Sequence, residues 1–203
     1  SQFMRYFLEL SYKGTAYNGW QRQNNAPSVQ QTLEEALSTI LRENISVTGA
    51  GRTDTGVHAS YYVAHFDVNS AIEDPGRFVY HLNSILPADI AAIHLSRVPD
   101  EAHARFDAVS REYKYYILPH KDPFRRETTW QYYVPIDECL MTKAAQSLLK
   151  ADDFTTFSKL HSANKTNICN VNHALWRRLN NGELVFSIRA DRFLRNMVRS
   201  IVG

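Results

Sequence analysis

The chain has 203 residues, of which 44% are hydrophobic and 22% are charged. These are the fractions of an ordinary globular protein, so a disordered chain and a long coiled coil are excluded. The charge is unevenly distributed: residues 1–103 carry 7 Lys and Arg against 11 Asp and Glu, whereas residues 104–203 carry 16 against 10. A basic half, in a chain with 12% aromatic residues, suits a polyanion whose bases can stack on aromatic side chains. RNA or DNA is therefore a candidate partner.

No hydrophobic run approaches the ~20 residues that cross a bilayer, and the N-terminus lacks the apolar core of a signal peptide. We therefore expect a cytoplasmic protein with no membrane partner. Cys139 and Cys169 have no CxxC spacing and are interpreted as reduced thiols. The 8 histidines are scattered rather than paired, which disfavours a metal site.

The first half predicts four strands and two helices in the order β-α-β-β-α-β. The strands cover residues 3–12, 45–50, 60–67 and 90–98, and the helices begin after Ser28 and Asp74. Gln31 is predicted to complete a capping box with Ser28. The buried face of the first helix is predicted to comprise Val29, Leu33, Ala36, Leu37, Ile40 and Leu41. This order predicts an α+β fold, with a ferredoxin-like domain over residues 1–103.

The second half, residues 104–203, repeats the start of this order. It predicts strands 111–118, 171–180 and 183–190, with helices from Asp137 to about Lys150 and from Arg192 to Val202. Asn181-Gly182 predicts a hairpin between the last two strands. A closing strand is missing, which predicts a second ferredoxin-like domain that is truncated at its C-terminus. A helix that ends at Gly203 as its capping residue is the other interpretation, and periodicity alone leaves both open.

The densest cluster of chemistry-bearing residues is the glycine-bounded loop from Gly49 to His58, with the sequence GAGRTDTGVH. A dinucleotide-binding or phosphate-loop motif is excluded, because neither GxGxxG opening a helix nor GK[ST] is present. What remains is one carboxylate, Asp54, which lies between two threonines. An Asx-turn, in which Asp54 bonds its own backbone, explains the residues alone equally well. No second carboxylate pairs with Asp54, so two-carboxylate glycosidase chemistry does not apply.

Residues 51–59 (GRTDTGVHA) resemble the signature of the TruA family of tRNA pseudouridine synthases. The resemblance continues in order along nearly the whole chain, at Tyr12–Gln23, Val29-Gln30, His103–Phe106 with Arg111–Tyr113, and Phe193–Gly203. Two residues depart from the family pattern: Thr55 stands where most members have alanine, and Glu112 where many have arginine. The family continues past the last motif, which implies that this chain is truncated.

The resemblance implies a homodimeric enzyme that isomerises uridine to pseudouridine at positions 38, 39 and 40 of the tRNA anticodon stem-loop. This reaction breaks the N1–C1′ bond of the uridine, turns the base and rejoins it through C5. No atom is gained or lost, so no cofactor and no metal are expected. The resemblance also implies two ferredoxin-like halves whose antiparallel sheets join, with a basic active-site cleft between them.

The resemblance further assigns the site residues. Asp54 corresponds to the essential aspartate, Tyr113 to the tyrosine that stacks on the target base, and Arg195 to the arginine that pairs with the aspartate. The implied RNA-binding residues are Arg52, His58, Arg105 and Arg199. From the residues alone, the favoured interpretation of the two arginines near the C-terminus is that they are surface residues of an amphipathic helix. Tyr113 is equally well a core residue.

Two other functions stay open at the level of the sequence. A non-catalytic RNA-binding module of the RRM type shares the ferredoxin-like topology, but the aromatic strand motif of that module does not occur here. A pseudouridine synthase that acts on other tRNA positions or on another RNA is also possible. The aspartate loop reports the chemistry, whereas the choice of RNA depends on surfaces that the motifs do not cover.

Overall fold

The structure is a computed structural model that describes residues 2–108, 110–131, 171–179 and 182–190. The chain divides into two compact units, Ser1–Ala108 and Val109–Gly203. The predicted helices 137–150 and 192–202 lie outside the described residues, as do Cys139, Cys169, Arg195 and Arg199. Within the described ranges, no helix has the length and apolar character needed to cross a membrane.

The first unit has the predicted order of four strands and two helices. The elements are β1 (Met4–Tyr12), α1 (Val29–Leu41), β2 (Val47–Gly49), β3 (Ala59–Val68), α2 (Pro75–Ile85) and β4 (Ile90–Val98). The sheet order is β2-β3-β1-β4, and every neighbouring pair is antiparallel. Each helix therefore connects two strands that flank a third one, which is the split βαβ arrangement.

Both helices of the first unit begin at the predicted residues. The Ser28 hydroxyl accepts a hydrogen bond from the Gln31 N–H at 3.1 Å, and the Asp74 carboxylate accepts one from the Arg77 N–H at 3.1 Å. The predicted capping box is only half confirmed, because the Gln31 amide donates to the Glu35 carboxylate at 3.2 Å. Glu35 lies one turn further along the exposed surface of α1, at the i+4 position, where side chains meet. The Gln31 side chain therefore bonds to Glu35 and not to the backbone N–H of Ser28, as a capping box would require.

The core of the first unit lies between the two helices and one face of the sheet. Strand β1 contributes its alternate residues Tyr6, Leu8, Leu10 and Tyr12, and α1 contributes Val29, Leu33, Ala36 and Leu37. These four helix residues confirm most of the predicted buried face. Ile40 and Leu41, at the end of α1, are only partly buried. Alternation along β1 leaves the odd-numbered residues on the opposite face of the sheet.

The second unit contains a second sheet, formed by β5 (Arg111–Leu118), β6 (Trp130–Gln131), β7 (Val171–Arg178) and β8 (Leu184–Ala190). Its order is β6-β5-β8-β7, in which β5, β8 and β7 are antiparallel and β6 pairs in parallel with the end of β5. The described parts of the chain therefore form an α+β structure with two mainly antiparallel sheets.

Strands β7 and β8 form the hairpin that Asn181-Gly182 predicts. The Leu179 N–H donates to the Glu183 carbonyl at 2.8 Å, and the Gly182 N–H donates to the Leu179 carbonyl at 2.9 Å. Gly182 has a φ of +83°, which a residue without a side chain adopts readily. The pairing of the two strands therefore extends to Leu179 and Glu183, whereas Asn181 itself lies outside the described residues.

Candidate active site

Asp54 lies in the loop of residues 50–58, hereafter the aspartate loop, which connects β2 to β3. The Asp54 carbonyl accepts a hydrogen bond from the Val57 N–H at 3.1 Å and so closes a tight turn. Gly56 occupies a left-handed position in this turn, with a φ of +79°. The reversal of the chain at the predicted catalytic residue therefore rests on backbone hydrogen bonding, and Asp54 itself is half-buried.

The segment of residues 13–23, hereafter the opening loop, is bonded to the aspartate loop on both sides of Asp54. Before Asp54, the Trp20 N–H donates to the Thr53 carbonyl at 3.4 Å. After it, the Gly56 N–H donates to the Tyr17 carbonyl at 3.3 Å. The two motifs that the sequence singles out separately are thus parts of one substructure.

Two glycines of the opening loop permit this close approach. A Cβ atom on Gly14 would lie closer than 3.0 Å to the Val57 carbonyl oxygen, and one on Gly19 would lie equally close to that of Thr53. Gly14 also donates its N–H to Nδ1 of His58 at 2.8 Å. His58 therefore joins the two loops, whereas its predicted contact with RNA stays a prediction.

A buried aromatic cluster, formed by Tyr12, Trp20 and Tyr62, packs against the aspartate loop. The ring centroids of Trp20 and Tyr62 lie 4.5 Å apart, and those of Tyr12 and Tyr62 lie 5.7 Å apart. The Tyr12 hydroxyl bonds to Thr53 Oγ1 at 2.8 Å, and the Tyr62 hydroxyl accepts from the Gly51 N–H and donates to the Gly51 carbonyl. The packing gives Trp20 and Tyr62 a supporting role beneath the aspartate loop, which no sequence motif assigns to Tyr62.

The structure brings two of the predicted RNA-binding residues together. Arg52 and Arg105 line the same pocket of about 230 Å³, together with Trp20, Gly49 and Gly51. Both arginine side chains are exposed to solvent. Guanidinium groups beside an accessible glycine backbone suit a phosphate, which accepts several hydrogen bonds from planar donors. Among the residues that the structure describes, no three His, Cys, Asp or Glu side chains are grouped closely enough to hold a metal ion.

The segment that carries Arg105 is fixed to the sheet through two residues that no sequence motif indicates. Nδ1 of His65 accepts a hydrogen bond from the Ala104 N–H at 3.0 Å, and Arg5 donates to the Ala102 carbonyl at 2.8 Å. His65 is only 5% exposed. Burial is the main cause that lowers the pKa of His65 to about 4, and the positive charge of Arg5 and the neighbouring His103 add to it.

This pKa predicts a pH dependence of stability. His65 is neutral in the fold but titrates with its ordinary pKa of 6.5 once unfolded, so below pH 6.5 the unfolded state binds more protons. We expect the free energy of unfolding to lose about 2 kcal/mol from this group between pH 7 and pH 5. Asp67 and Asp107 oppose the shift, and their charges are included in the pKa of about 4.

The measurement is urea unfolding at both pH values for the wild type and for His65→Asn. The asparagine amide oxygen can accept the Ala104 hydrogen bond but does not titrate, so the variant should lose correspondingly less stability on acidification. Equal losses in the two proteins would show that His65 is not held neutral by the fold.

Tyr113 lies on β5 of the second unit, opposite Ile188 of β8, and it is half-buried. Its neighbour Glu112 is opposite Arg189 and forms an ion pair with it at 3.2 Å. The acidic residue that departs from the family pattern therefore has a basic partner on the adjacent strand. Tyr113 and Asp54 belong to different units, and their meeting in one active site stays a prediction.

Comparison with known proteins places these residues in a family. The sequence model of the tRNA pseudouridine synthases matches residues 10–107 and 144–203. The chain belongs to this family. The chain is 51% identical to the tRNA pseudouridine synthase A of Bacteroides fragilis over 199 residues, which cover 98% of this chain and 79% of that protein. It is 41% identical to the Yersinia pestis protein of the same name over 202 residues, or 98% of this chain and 76% of that protein.

The family assignment confirms the resemblance seen in the motifs. The first matched stretch contains the aspartate loop and Arg105, and the second contains Arg195 and Arg199. Tyr113 lies between the two stretches. The roles of these individual residues stay predictions, because the family assignment concerns the chain and does not test its side chains.

Proposed function

We propose that this chain isomerises uridine to pseudouridine in tRNA, at positions 38, 39 and 40 of the anticodon stem-loop. The observation that supports the proposal most strongly is that the chain belongs to the tRNA pseudouridine synthases and that the match includes the aspartate loop. The opening loop and the aromatic cluster hold this loop on both sides of one carboxylate. Such a preorganised group is what a reaction at a single sugar–base bond requires.

In this proposal, Asp54 acts at the N1–C1′ bond of the target uridine. The bond breaks, the base turns, a bond from C5 to C1′ forms, and the proton on C5 is lost while N1 gains one. Both a covalent route and a route through a glycal need an ionised carboxylate at the sugar–base junction. Arg195 would keep Asp54 ionised by its positive charge, and Tyr113 would stack on the base once it has left the RNA helix.

Arg52 and Arg105 are proposed to bind phosphates next to the target nucleotide. Their common pocket beside the aspartate loop supports this role. Because phosphate contacts release counterions, each of Arg52→Gln and Arg105→Gln should weaken tRNA binding and reduce the slope of log Kd against log salt by about 1. The measurement is tRNA affinity between 50 and 200 mM salt, a range in which such contacts weaken strongly.

Arg77→Gln is the matched control for these two variants. Arg77 is an exposed arginine on α2 and is not among the residues that line the pocket. We expect the wild-type salt dependence in this variant. An equal change of slope in all three variants would show that the arginines contribute only general positive charge.

We also propose that the protein is a cytoplasmic homodimer, in which one tRNA contacts both subunits, and that the second unit has the ferredoxin-like fold of the first. The family resemblance suggests the dimer. The strand order supports the repeated fold, since β5-β8-β7 corresponds to β1-β3-β2 of the first unit. The short strand β6 lies beside β5, where β4 lies beside β1.

The cellular test is pseudouridine mapping in tRNA from cells that lack this gene and from the same cells supplied with it. The proposal predicts that pseudouridine at positions 38, 39 and 40 is lost and then restored. Loss at other tRNA positions or in another RNA would favour a synthase with a different target. A normal pseudouridine map in the deficient cells would contradict the proposal and favour a non-catalytic RNA-binding module.

A further inference from the structure

The segment of residues 102–107, hereafter the Arg105 segment, has a compact local structure. The His103 N–H donates to the Asp107 carboxylate at 2.7 Å, and the Asp107 N–H donates to the His103 carbonyl at 3.0 Å. Nδ1 of His103 accepts from the N–H groups of Arg105 and Phe106, each at 3.2 Å. The backbone at Arg105 is therefore set by His103, but none of these bonds fixes the segment relative to the rest of the unit.

His65 and Arg5 make the connection to the sheet. His65 accepts the Ala104 N–H, and Arg5 donates to the Ala102 carbonyl, so the chain is held on both sides of His103. Arg5 is itself held by Asp67, its opposite residue on β3, through two hydrogen bonds of 2.8 and 3.0 Å. Because Arg5 and Asp67 lie on neighbouring strands, the anchoring point is part of the sheet.

The burial of His65 also indicates a fixed contact. Strand β3 alternates, and Tyr62, Ala64, Phe66 and Val68 point into the core. His65 lies on the opposite face, which no helix of the unit covers, yet it is only 5% exposed. The His103 ring meets the His65 ring edge-on, with 4.6 Å between the ring centroids. The Phe7 ring stacks on the His65 ring, with 6.3 Å between the centroids. A buried imidazole can accept the Ala104 N–H only when Nδ1 carries no proton.

We propose that His65 is a positioning residue that acts through Arg105: it locks the Arg105 segment against the sheet and so directs Arg105 to the phosphate of the bound tRNA. This inference rests on the proposed function, because the tRNA contact of Arg105 is part of it. Arg105 and Arg52 come from segments that are far apart in the sequence, yet they line one pocket. The anchoring of the Arg105 segment by His65 accounts for this approach.

The experiment is a double-mutant cycle on tRNA affinity. His65→Phe keeps an aromatic ring but removes the acceptor, and we expect it and Arg105→Gln each to raise Kd about fivefold, an effect typical of coupled residues. The double variant should then bind no more weakly than Arg105→Gln alone. Combined with Arg52→Gln, in contrast, His65→Phe should multiply the loss, because Arg52 is held by a different loop.

His65→Asn retains an acceptor and should stay within about twofold of the wild-type Kd, whereas a residue needed only for its bulk would not be rescued by this change. Hydrogen exchange provides a readout that does not depend on activity. The Ala104 amide should be protected in the wild type and in His65→Asn but exchange rapidly in His65→Phe.

Two results would overturn the inference. One is a double variant whose loss is the product of the single losses, which would mean that His65 does not act through Arg105. The other is an Ala104 amide that is equally protected in His65→Phe. If Arg105→Gln leaves tRNA affinity unchanged while pseudouridine still forms, this inference and the proposed phosphate contact of Arg105 fail, whereas the proposed isomerisation of uridine stands. If no pseudouridine forms in the wild type, the proposed function itself fails.

Discussion

Asp54→Asn is expected to abolish pseudouridine formation while tRNA binding stays within a few-fold of the wild type. The change removes the charge of the carboxylate that acts on the N1–C1′ bond but hardly alters its shape. Binding depends mainly on phosphate contacts, which this change leaves in place, so the loss should appear in turnover and not in Kd. Single-turnover pseudouridine formation and tRNA affinity, measured on the same preparation, check both parts.

Thr55→Ala is the matched control, since it alters the next residue of the same loop to the alanine that the family resemblance gives for this position. Thr55 is exposed, and we expect activity within about twofold of the wild type, as for an ordinary surface substitution. Asp54→Asn activity at a tenth of the wild type or more would contradict the assignment of the catalytic carboxylate.

Gly19→Ala is expected to be among the most damaging single substitutions in the first unit. Gly19 has a φ of +84°, and a Cβ atom there would lie closer than 3.0 Å to the Thr53 carbonyl oxygen. The left-handed backbone costs about 1–2 kcal/mol for a residue with a side chain, and overpacking adds about 1–3 kcal/mol. The aspartate loop must also move, and a displacement of about 1 Å at a reacting group costs roughly a hundredfold in rate.

Gly56→Ala separates the two contributions to this effect. Gly56 has a similar φ of +79°, but a Cβ atom there would meet nothing within 4 Å. The free energy of unfolding of Gly56→Ala should therefore fall only by about 1–2 kcal/mol, which is the cost of a left-handed backbone conformation for a residue with a side chain. Urea unfolding of the two variants provides the comparison. If both lose the same stability, the close approach of the opening loop to Thr53 has no energetic consequence.

Local signals predicted much of the first unit from its sequence. Ser28 and Asp74 are capping residues whose partners lie three positions along the chain, so their role can be read without knowledge of the fold. The bounds of β4 and β5 match the predicted ones, because apolar residues and turn residues delimit both strands. The capping box failed in its second half because Gln31 had a competing partner, Glu35, on the same helix surface.

The supporting residues of the candidate site could not be predicted in this way. Tyr62 and His65 are two residues of a strand rich in aromatic and apolar side chains, and nothing local distinguishes them. Their partners, Gly51 and Ala104, are 11 and 39 residues away and become neighbours only through the fold. The pairing of Glu112 with a basic partner likewise depends on the register of β5 with β8.

The most direct test of the proposed activity is a reaction between the purified chain and an unmodified tRNA transcript, with pseudouridine mapped at single-nucleotide resolution. We predict pseudouridine at the uridines among positions 38, 39 and 40 with the wild type, and none there with Asp54→Asn under the same conditions. A wild-type protein that is folded and binds the transcript, yet forms no pseudouridine at any position, would show that the chain is not a pseudouridine synthase.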